Sequence, residues 1–101
     1  MEFEWSSKKE EANLREHHLS LDTGTLVFND PFRKVRHDDD SSYGEERYQT
    51  LGLVGKVLFV VYTENGEKIR MISARLADPK ERRIYYGTNN KNTFGWSEAN
   101  R

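Results

Sequence analysis

The sequence predicts an α+β domain, and three observations carry that expectation. Lys56 to Thr63 is nearly continuously apolar (Val57, Leu58, Phe59, Val60, Val61, Tyr62), as a central strand covered on both faces requires. Asn65-Gly66 follows, a pair that tolerates the positive φ angles of a tight hairpin, and leads into a second strand pattern through Arg75. Ser7-Lys8-Lys9-Glu10 and Asp78-Pro79-Lys80-Glu81 both match helix starts, with a side-chain cap and an acid three residues on.

Taken in order, Phe3 and Trp5 alternate with Glu2 and Glu4 in a short strand pattern. A helix is expected from Lys8 to His17, with a thin apolar face made mainly by Ala12 and Leu14. Ser20 offers a second cap, and a short helix through Leu26 to Phe28 would bury Val27 and Phe28. Asn29-Asp30-Pro31 ends it, because the residue before proline avoids the helical region. Phe32 to His37 alternates like a strand, and Asp38 to Gly44 is a loop by composition. Glu46 to Leu53 forms the next strand, with Val54-Gly55 as a tight turn. A two-residue turn at Asn65-Gly66 would pair Glu64 with Glu67, Val61 with Arg70 and Phe59 with Ile72. Strict alternation then puts Arg70 and Arg75 on opposite faces unless a bulge re-aims one of them. The last helix runs from the Asp78 cap to Gly87, and residues 88–101 read as a polar tail in which Phe94 and Trp96 could dock. The order is β-α-α-β-β-β-β-α, with the helices expected on one sheet face and the other left for a ligand.

The bulk numbers fit one domain. The chain has 101 residues, 33% charged and 35% hydrophobic, with a net charge of −1. It has no cysteine, which excludes disulfides, thiolate zinc sites and a cysteine nucleophile. No apolar run reaches the roughly 18–20 residues of a membrane span, and the first residues lack a signal peptide's pattern, so a cytoplasmic protein is expected. Asp38-Asp39-Asp40 reads as a solvated turn rather than a magnesium site, because a hard ion needs converging oxygens. No metal or cofactor is expected.

Residues 67–87 stand out. They hold six basic residues (Lys68, Arg70, Arg75, Lys80, Arg82, Arg83) against three acidic ones (Glu67, Asp78, Glu81) in a chain that is otherwise slightly acidic. Guanidinium forks match phosphate oxygens, and Tyr85 or Tyr86 could stack on bases. The plainer reading is a solvated helix face with surface ion pairs.

An ordered set of residues resembles a known family: Trp5 and Lys9; Asn13 and His17; Phe28 with Asp30-Pro31; Gly44-Glu45-Glu46-Arg47; Leu51-Gly52; Val60-Val61-Tyr62-Thr63; and Arg70-Met71-Ile72-Ser73-Ala74-Arg75, with Ala77, Glu81 and Tyr85 beyond. The set is similar to the BrnT-type toxins of bacterial type II toxin–antitoxin systems over about residues 3 to 87. Two places depart from the family pattern: Ser6-Ser7, where Asp-Pro is usual, and His18, where glycine is usual.

The resemblance implies a RelE-like fold over residues 1–87, with the tail at 88–101 outside it. It implies metal-independent RNA cleavage that inhibits translation and growth. It also implies a cognate BrnA-type ribbon-helix-helix antitoxin, with two toxins and two antitoxins in a heterotetramer that reaches DNA only through the antitoxin. Such cleavage needs a base for the 2′-hydroxyl, cations for the pentacoordinate phosphoryl group and an acid for the leaving 5′-oxygen. The candidates are Arg70 and Arg75 for charge, Lys9 for phosphate binding or proton transfer, and His17 as acid or base. Arg47, Arg82, Arg83, Tyr85 and Glu46 are the candidates for contacting RNA. The alternatives are a non-catalytic RNA- or antitoxin-binding module of the same fold, and a purely structural partner in a repressor complex.

Overall fold

The computed structural model describes residues 1–38, 46–87 and 95–99. Residues 39–45, most of the expected acidic loop, and most of the tail therefore lie outside the described residues. One six-stranded sheet organises the rest, in the order β1 (Glu2–Glu4), β5 (Lys68–Leu76), β4 (Lys56–Asn65), β3 (Arg47–Val54), β2 (Lys34–Asp38), β6 (Ser97–Glu98). Neighbours pair antiparallel except β1, which lies parallel to β5. The helices are α1 (Ser7–His17), α2 (Leu21–Gly24), which runs on into a 3₁₀ helix at Thr25–Asn29, and α3 (Pro79–Tyr86). Among the described residues no helix is long and apolar enough to cross a membrane.

The expected elements are present, with four differences of physical interest. First, α1 is capped by Ser6 rather than Ser7: the Ser6 Oγ accepts from the Lys9 amide at 3.1 Å. Glu10 does not reach back to close a capping box. Its carboxylate accepts from Ser20 Oγ and from the Leu21 amide, both at 2.8 Å, so α1 holds the start of α2. Second, the helices do not share one face. Leu21 and Val27 from the α2 region pack with Leu58, Val60, Tyr62, Ile69, Met71 and Ala74 on one side. On the other, Tyr85 of α3 joins Leu51, Val57, Phe59, Ala77 and Trp96. Third, Trp96 is buried and the Ser97–Glu98 strand beside it pairs with β2, so this end of the chain joins the sheet.

The fourth difference lies in the central hairpin. Asn65 pairs with Lys68, leaving Gly66 and Glu67 as the turn, and Tyr62 pairs with Met71. The next pair is Val61 with Ser73, so Ile72 is an extra residue, a β-bulge. Sequence alternation paired Val61 with Arg70 and Phe59 with Ile72; the structure pairs Val61 with Ser73 and Phe59 with Arg75. One extra residue reverses the side-chain parity beyond it. Ala74 therefore joins Leu58 and Val60 in the first core cluster, and Arg75 moves to the Phe59 face. Arg70 pairs with Thr63, four residues from Phe59 on β4, so Arg70 and Arg75 lie on the same face.

Asn13 fixes this geometry. It is buried on α1, donates from Nδ2 to the Ala74 carbonyl at 2.8 Å and the Leu19 carbonyl at 2.7 Å, and accepts at Oδ1 from the Ala74 amide at 2.9 Å. Strand β1 stops pairing at Arg70, and the Asn13 amide replaces a strand neighbour for β5 at Ala74. Two glycines let the helical layer approach this closely. A Cβ on Gly24 would lie 2.9 Å from the Ala74 Cβ, and one on Gly52 would lie 2.6 Å from the Val27 Cβ.

Candidate functional site

The corrected register aligns a row of side chains across one face of the sheet. Asp38 pairs with Arg47, Arg47 with Thr63, Thr63 with Arg70, and Arg70 with Glu4. Paired residues project from the same face, so Arg47 and Arg70 flank Thr63 across about 10 Å, two strand spacings. The row lies beyond the part of the face that α3 covers, since the second core cluster gathers around Leu51, Val57 and Phe59.

Two cavities open along this row and share Arg70. The first, of about 320 Å³, is lined by Glu4, Trp5, Lys9, Arg47, Arg70 and Ile72, among others. Three of the expected site residues, Lys9, Arg47 and Arg70, thus meet at one concavity. The bulged Ile72 forms part of its wall. The Arg70 side chain is half exposed and its Nε donates to Glu4 Oε2 at 3.0 Å. Asn65 Nδ2 donates to the same oxygen at 3.0 Å. The bond from Asn65, then that from Arg70, hold the Glu4 carboxyl below its ordinary range.

The second cavity, of about 500 Å³, is lined by Glu46, Tyr48, Thr63, Glu64, Asn65 and Arg70. Glu46 was expected at the site; the other residues were not singled out, apart from Arg70. The register places Thr63 between Arg47 and Arg70, whereas Tyr48 pairs with Tyr62 and projects from the opposite face. Tyr48 stacks on Tyr62 with ring centroids 5.5 Å apart and an interplanar angle of 26°. Burial, then the charges of Glu46 and Glu64, raise the pKa of the Tyr48 hydroxyl above its ordinary value.

The remaining expected residues lie elsewhere. Arg75 forks onto Glu81, with Nη1 to Oε1 at 2.8 Å and Nη2 to Oε2 at 2.9 Å, and its guanidinium lies 4.2 Å from the Phe59 ring centroid. Glu81 also completes the α3 capping box with Asp78, so Arg75 ties β5 to the start of α3. Tyr85 is buried and its hydroxyl donates to Asp30 Oδ2. That carboxylate also accepts the amides of Phe32 and Leu53 at 2.9 and 2.8 Å. Burial and the bond to Asp30 push the Tyr85 pKa up. Arg82 and Arg83 are exposed on α3, with Arg82 Nη1 donating back to the Ala77 carbonyl at 3.0 Å. His17 is in the last turn of α1, about 12 Å along the axis from Lys9, with Glu16 at 3.9 Å. The structure therefore brings Lys9, Arg47 and Arg70 together with Glu46 at the adjoining cavity. It gives Arg75 and Tyr85 packing partners of their own.

Comparison with known proteins agrees with this architecture. A solved structure, the ribonuclease toxin BrnT of Brucella abortus, superposes with a TM-score of 0.57 at 18% identity, covering 77% of this chain and 97% of that one. At that identity the match speaks to the fold. A comparison with curated protein sequences finds no match. The sequence profile described as "Ribonuclease toxin, BrnT, of type II toxin-antitoxin system" matches residues 5–81, which span α1 through the start of α3. The chain therefore belongs to the BrnT family of ribonuclease toxins from type II toxin–antitoxin systems.

Proposed function

We propose that this chain is a metal-independent endoribonuclease whose cleavage of RNA inhibits translation and growth, and that its cognate antitoxin neutralises it by covering the Arg47–Thr63–Arg70 row. The observation that carries the reading is the meeting of Lys9, Arg47 and Arg70 around one cavity. In a transesterification the 2′-oxygen attacks phosphorus, the bond to the 5′-oxygen breaks, and negative charge builds on the non-bridging oxygens between those events. Arg47 and Arg70 project from one face on either side of Thr63, so both guanidinium groups can reach the same phosphate. Lys9 supplies a third cation, from α1. An ammonium can contact the phosphate or give a proton to the departing 5′-oxygen. Arg75 and His17 lie outside this cavity, and the proposed step uses neither.

The test is an RNA-cleavage assay with the purified chain, with and without EDTA, alongside growth after induced expression. Cleavage that persists in EDTA, and growth arrest on expression, are expected. Arg70→Ala or Arg47→Ala should slow cleavage by about 10²-fold or more, the effect of losing one preorganised donor, while the melting temperature stays near wild type. Intact RNA and unimpaired growth would favour the non-catalytic binding module. For the partner, we propose a ribbon-helix-helix antitoxin in a complex of two toxins with two antitoxins. The mass of the co-purified complex tests that.

A further inference from the structure

The end of the sheet away from the Arg47–Thr63–Arg70 row carries large apolar side chains that the proposed reaction does not use. Leu53 lies six residues beyond Arg47 on β3, about 20 Å along the strand. It is 41% exposed, Phe32 is 69% exposed and Tyr86 is 61% exposed. The buried Asp30 carboxylate gathers the three. It accepts the Phe32 and Leu53 amides at 2.9 and 2.8 Å and the Tyr85 hydroxyl. The Tyr86 ring lies 5.0 Å from the Tyr85 ring, centroid to centroid. Packing has therefore fixed the backbone under this patch while leaving its side chains in water.

The exposed charges beside the patch are positive. Arg82 and Tyr86 are four residues apart and share one flank of α3. Arg82 Nη1 donates to the Ala77 carbonyl at 3.0 Å, and the Ala77 amide donates to the Val57 carbonyl at 2.9 Å. Val57 pairs with Leu53, so this flank of α3 faces the Leu53 end of the sheet. Arg83 is exposed on the same helix, and the exposed Lys56 follows the turn after β3. None of Arg82, Arg83 and Lys56 forms an ion pair with a described residue. Apolar side chains ringed by cations fit a partner whose own apolar side chains are flanked by carboxylates. RNA fits less well, because Leu53 offers it neither a hydrogen bond nor a stacking plane.

We infer that the patch of Phe32, Leu53 and Tyr86 is a docking surface for an acidic amphipathic segment of the cognate antitoxin, a second grip remote from the phosphate site. The Arg47–Thr63–Arg70 row is dominated by charge, and tight protein association draws on desolvated aromatic anchors. Phe32 and Tyr86 supply such anchors, and Arg82, Arg83 and Lys56 supply the charge that steers an acidic segment onto them. The inference rests on the proposed neutralisation by an antitoxin, and the test separates the two.

The full chain and the purified antitoxin are titrated against each other, and association rates are measured across salt concentrations. Phe32→Ser and Tyr86→Ser should each weaken binding by about 30-fold or more, the effect of losing an interface anchor. Phe32→Ser should melt near wild type and cleave RNA at the wild-type rate. Arg83→Glu should slow association and flatten its dependence on salt, and Arg83→Lys, which keeps the charge, should restore both. Phe32 in its turn and Arg83 on the outer helix face keep the test independent of any loss of fold at Tyr86. Unchanged affinity in Phe32→Ser and Tyr86→Ser, with the wild-type complex intact, would overturn the inference and leave neutralisation through the arginine row standing. A concentration-dependent dimer of this chain that Phe32→Ser abolishes, or RNA binding lost in Phe32→Ser, would also overturn it by giving the patch another occupant. If the wild-type chain forms no complex with the antitoxin, the neutralisation reading and this inference fail together.

Discussion

Removing the Arg75 side chain tests whether this arginine holds the fold or serves the reaction. In the structure it makes two charge-assisted hydrogen bonds to Glu81, at 2.8 and 2.9 Å, and lies on the Phe59 ring. The Arg75 side chain is one-third exposed and that of Glu81 is 14% exposed, so water screens the pair only in part. Hydrogen bonds to a charged group contribute about 1.5–3 kcal/mol, and a partly exposed cation–π contact about 0.5–1 kcal/mol. Arg75→Ala should therefore cost about 2–4 kcal/mol, a large share of the roughly 5–15 kcal/mol that holds a domain together. For a chain of this size that is a fall in melting temperature of roughly 8–25 °C. Calorimetry on the wild type, Arg75→Ala, Glu81→Gln and the double variant closes a cycle, and a coupling of about 1 kcal/mol or more is expected. Glu81→Gln keeps an oxygen for the Asp78 amide, so the cycle isolates the ion pair. Arg75→Lys should recover little, because an ammonium cannot reproduce the fork. An Arg75→Ala variant that melts within about 2 °C of wild type, or a nil coupling with Glu81, would refute this structural role. Loss of cleavage in that same stable variant would place Arg75 in the reaction.

Three other perturbations have defined signs. Asn13→Ala removes three hydrogen bonds and leaves both backbone groups of Ala74 without that partner; a loss of about 2–4 kcal/mol is expected in denaturant titration. His18 closes α1 at φ 57°, ψ 34°, in the left-handed region that favours glycine. His18→Gly should therefore raise stability by about 0.5–1 kcal/mol, and an unchanged or lower melting temperature would contradict that. The Glu4 carboxyl is held below its ordinary value of 4.5 by Asn65 and Arg70, so folding favours its ionised form. That contribution is present above about pH 4.5 and lost as the pH falls through the lower, folded value. Melting curves of wild type and Glu4→Gln should differ at neutral pH and converge in acid, and a constant offset across pH 2–7 would refute the linkage.

The elements were largely legible because each rests on local chemistry. The apolar run at 57–62, the Asp78-Pro79-Lys80-Glu81 start and the hairpin residues all specify backbone within a few positions. The site was less legible because its arrangement depends on parity along β5. Alternation read from Lys68 onward puts Arg70 and Arg75 on opposite faces, and a bulge at Ile72 reverses that. The groups that fix Ala74 just beyond the bulge come from Asn13, 61 positions away in sequence. An asparagine buried for a strand edge has no local signature, so nothing in the α1 sequence marks Asn13 for this role. Glu10 misled similarly: its spacing from Ser7 suits a capping box, but its carboxylate accepts from the Leu21 amide and Ser20 instead. Trp96 was readable only as an apolar residue in a polar tail, and its burial depends on Phe59 and on the Arg36 guanidinium 4.6 Å from its ring centroid.

Burial then separates two arginines that sequence treats alike. Arg70 and Arg75 share a strand and a face, about 13 Å apart along it. A phosphate that approaches Arg75 must break a bidentate, partly buried ion pair and disturb the capping box of α3. A phosphate that approaches Arg70 competes with a single hydrogen bond to Glu4 at the rim, where water already screens the charges. It also gains Arg47 and Lys9 on the same cavity, whereas at Arg75 it would meet the Glu81 carboxylate. The same parity reversal that seats Arg75 against α3 sends Ala74 to the opposite core and leaves Ile72 in the wall of the cationic cavity. One inserted residue in β5 thus sets both the anchor of the last helix and the shape of the site. Deleting Ile72 should therefore damage stability and cleavage together, whereas Arg70→Ala should damage cleavage alone.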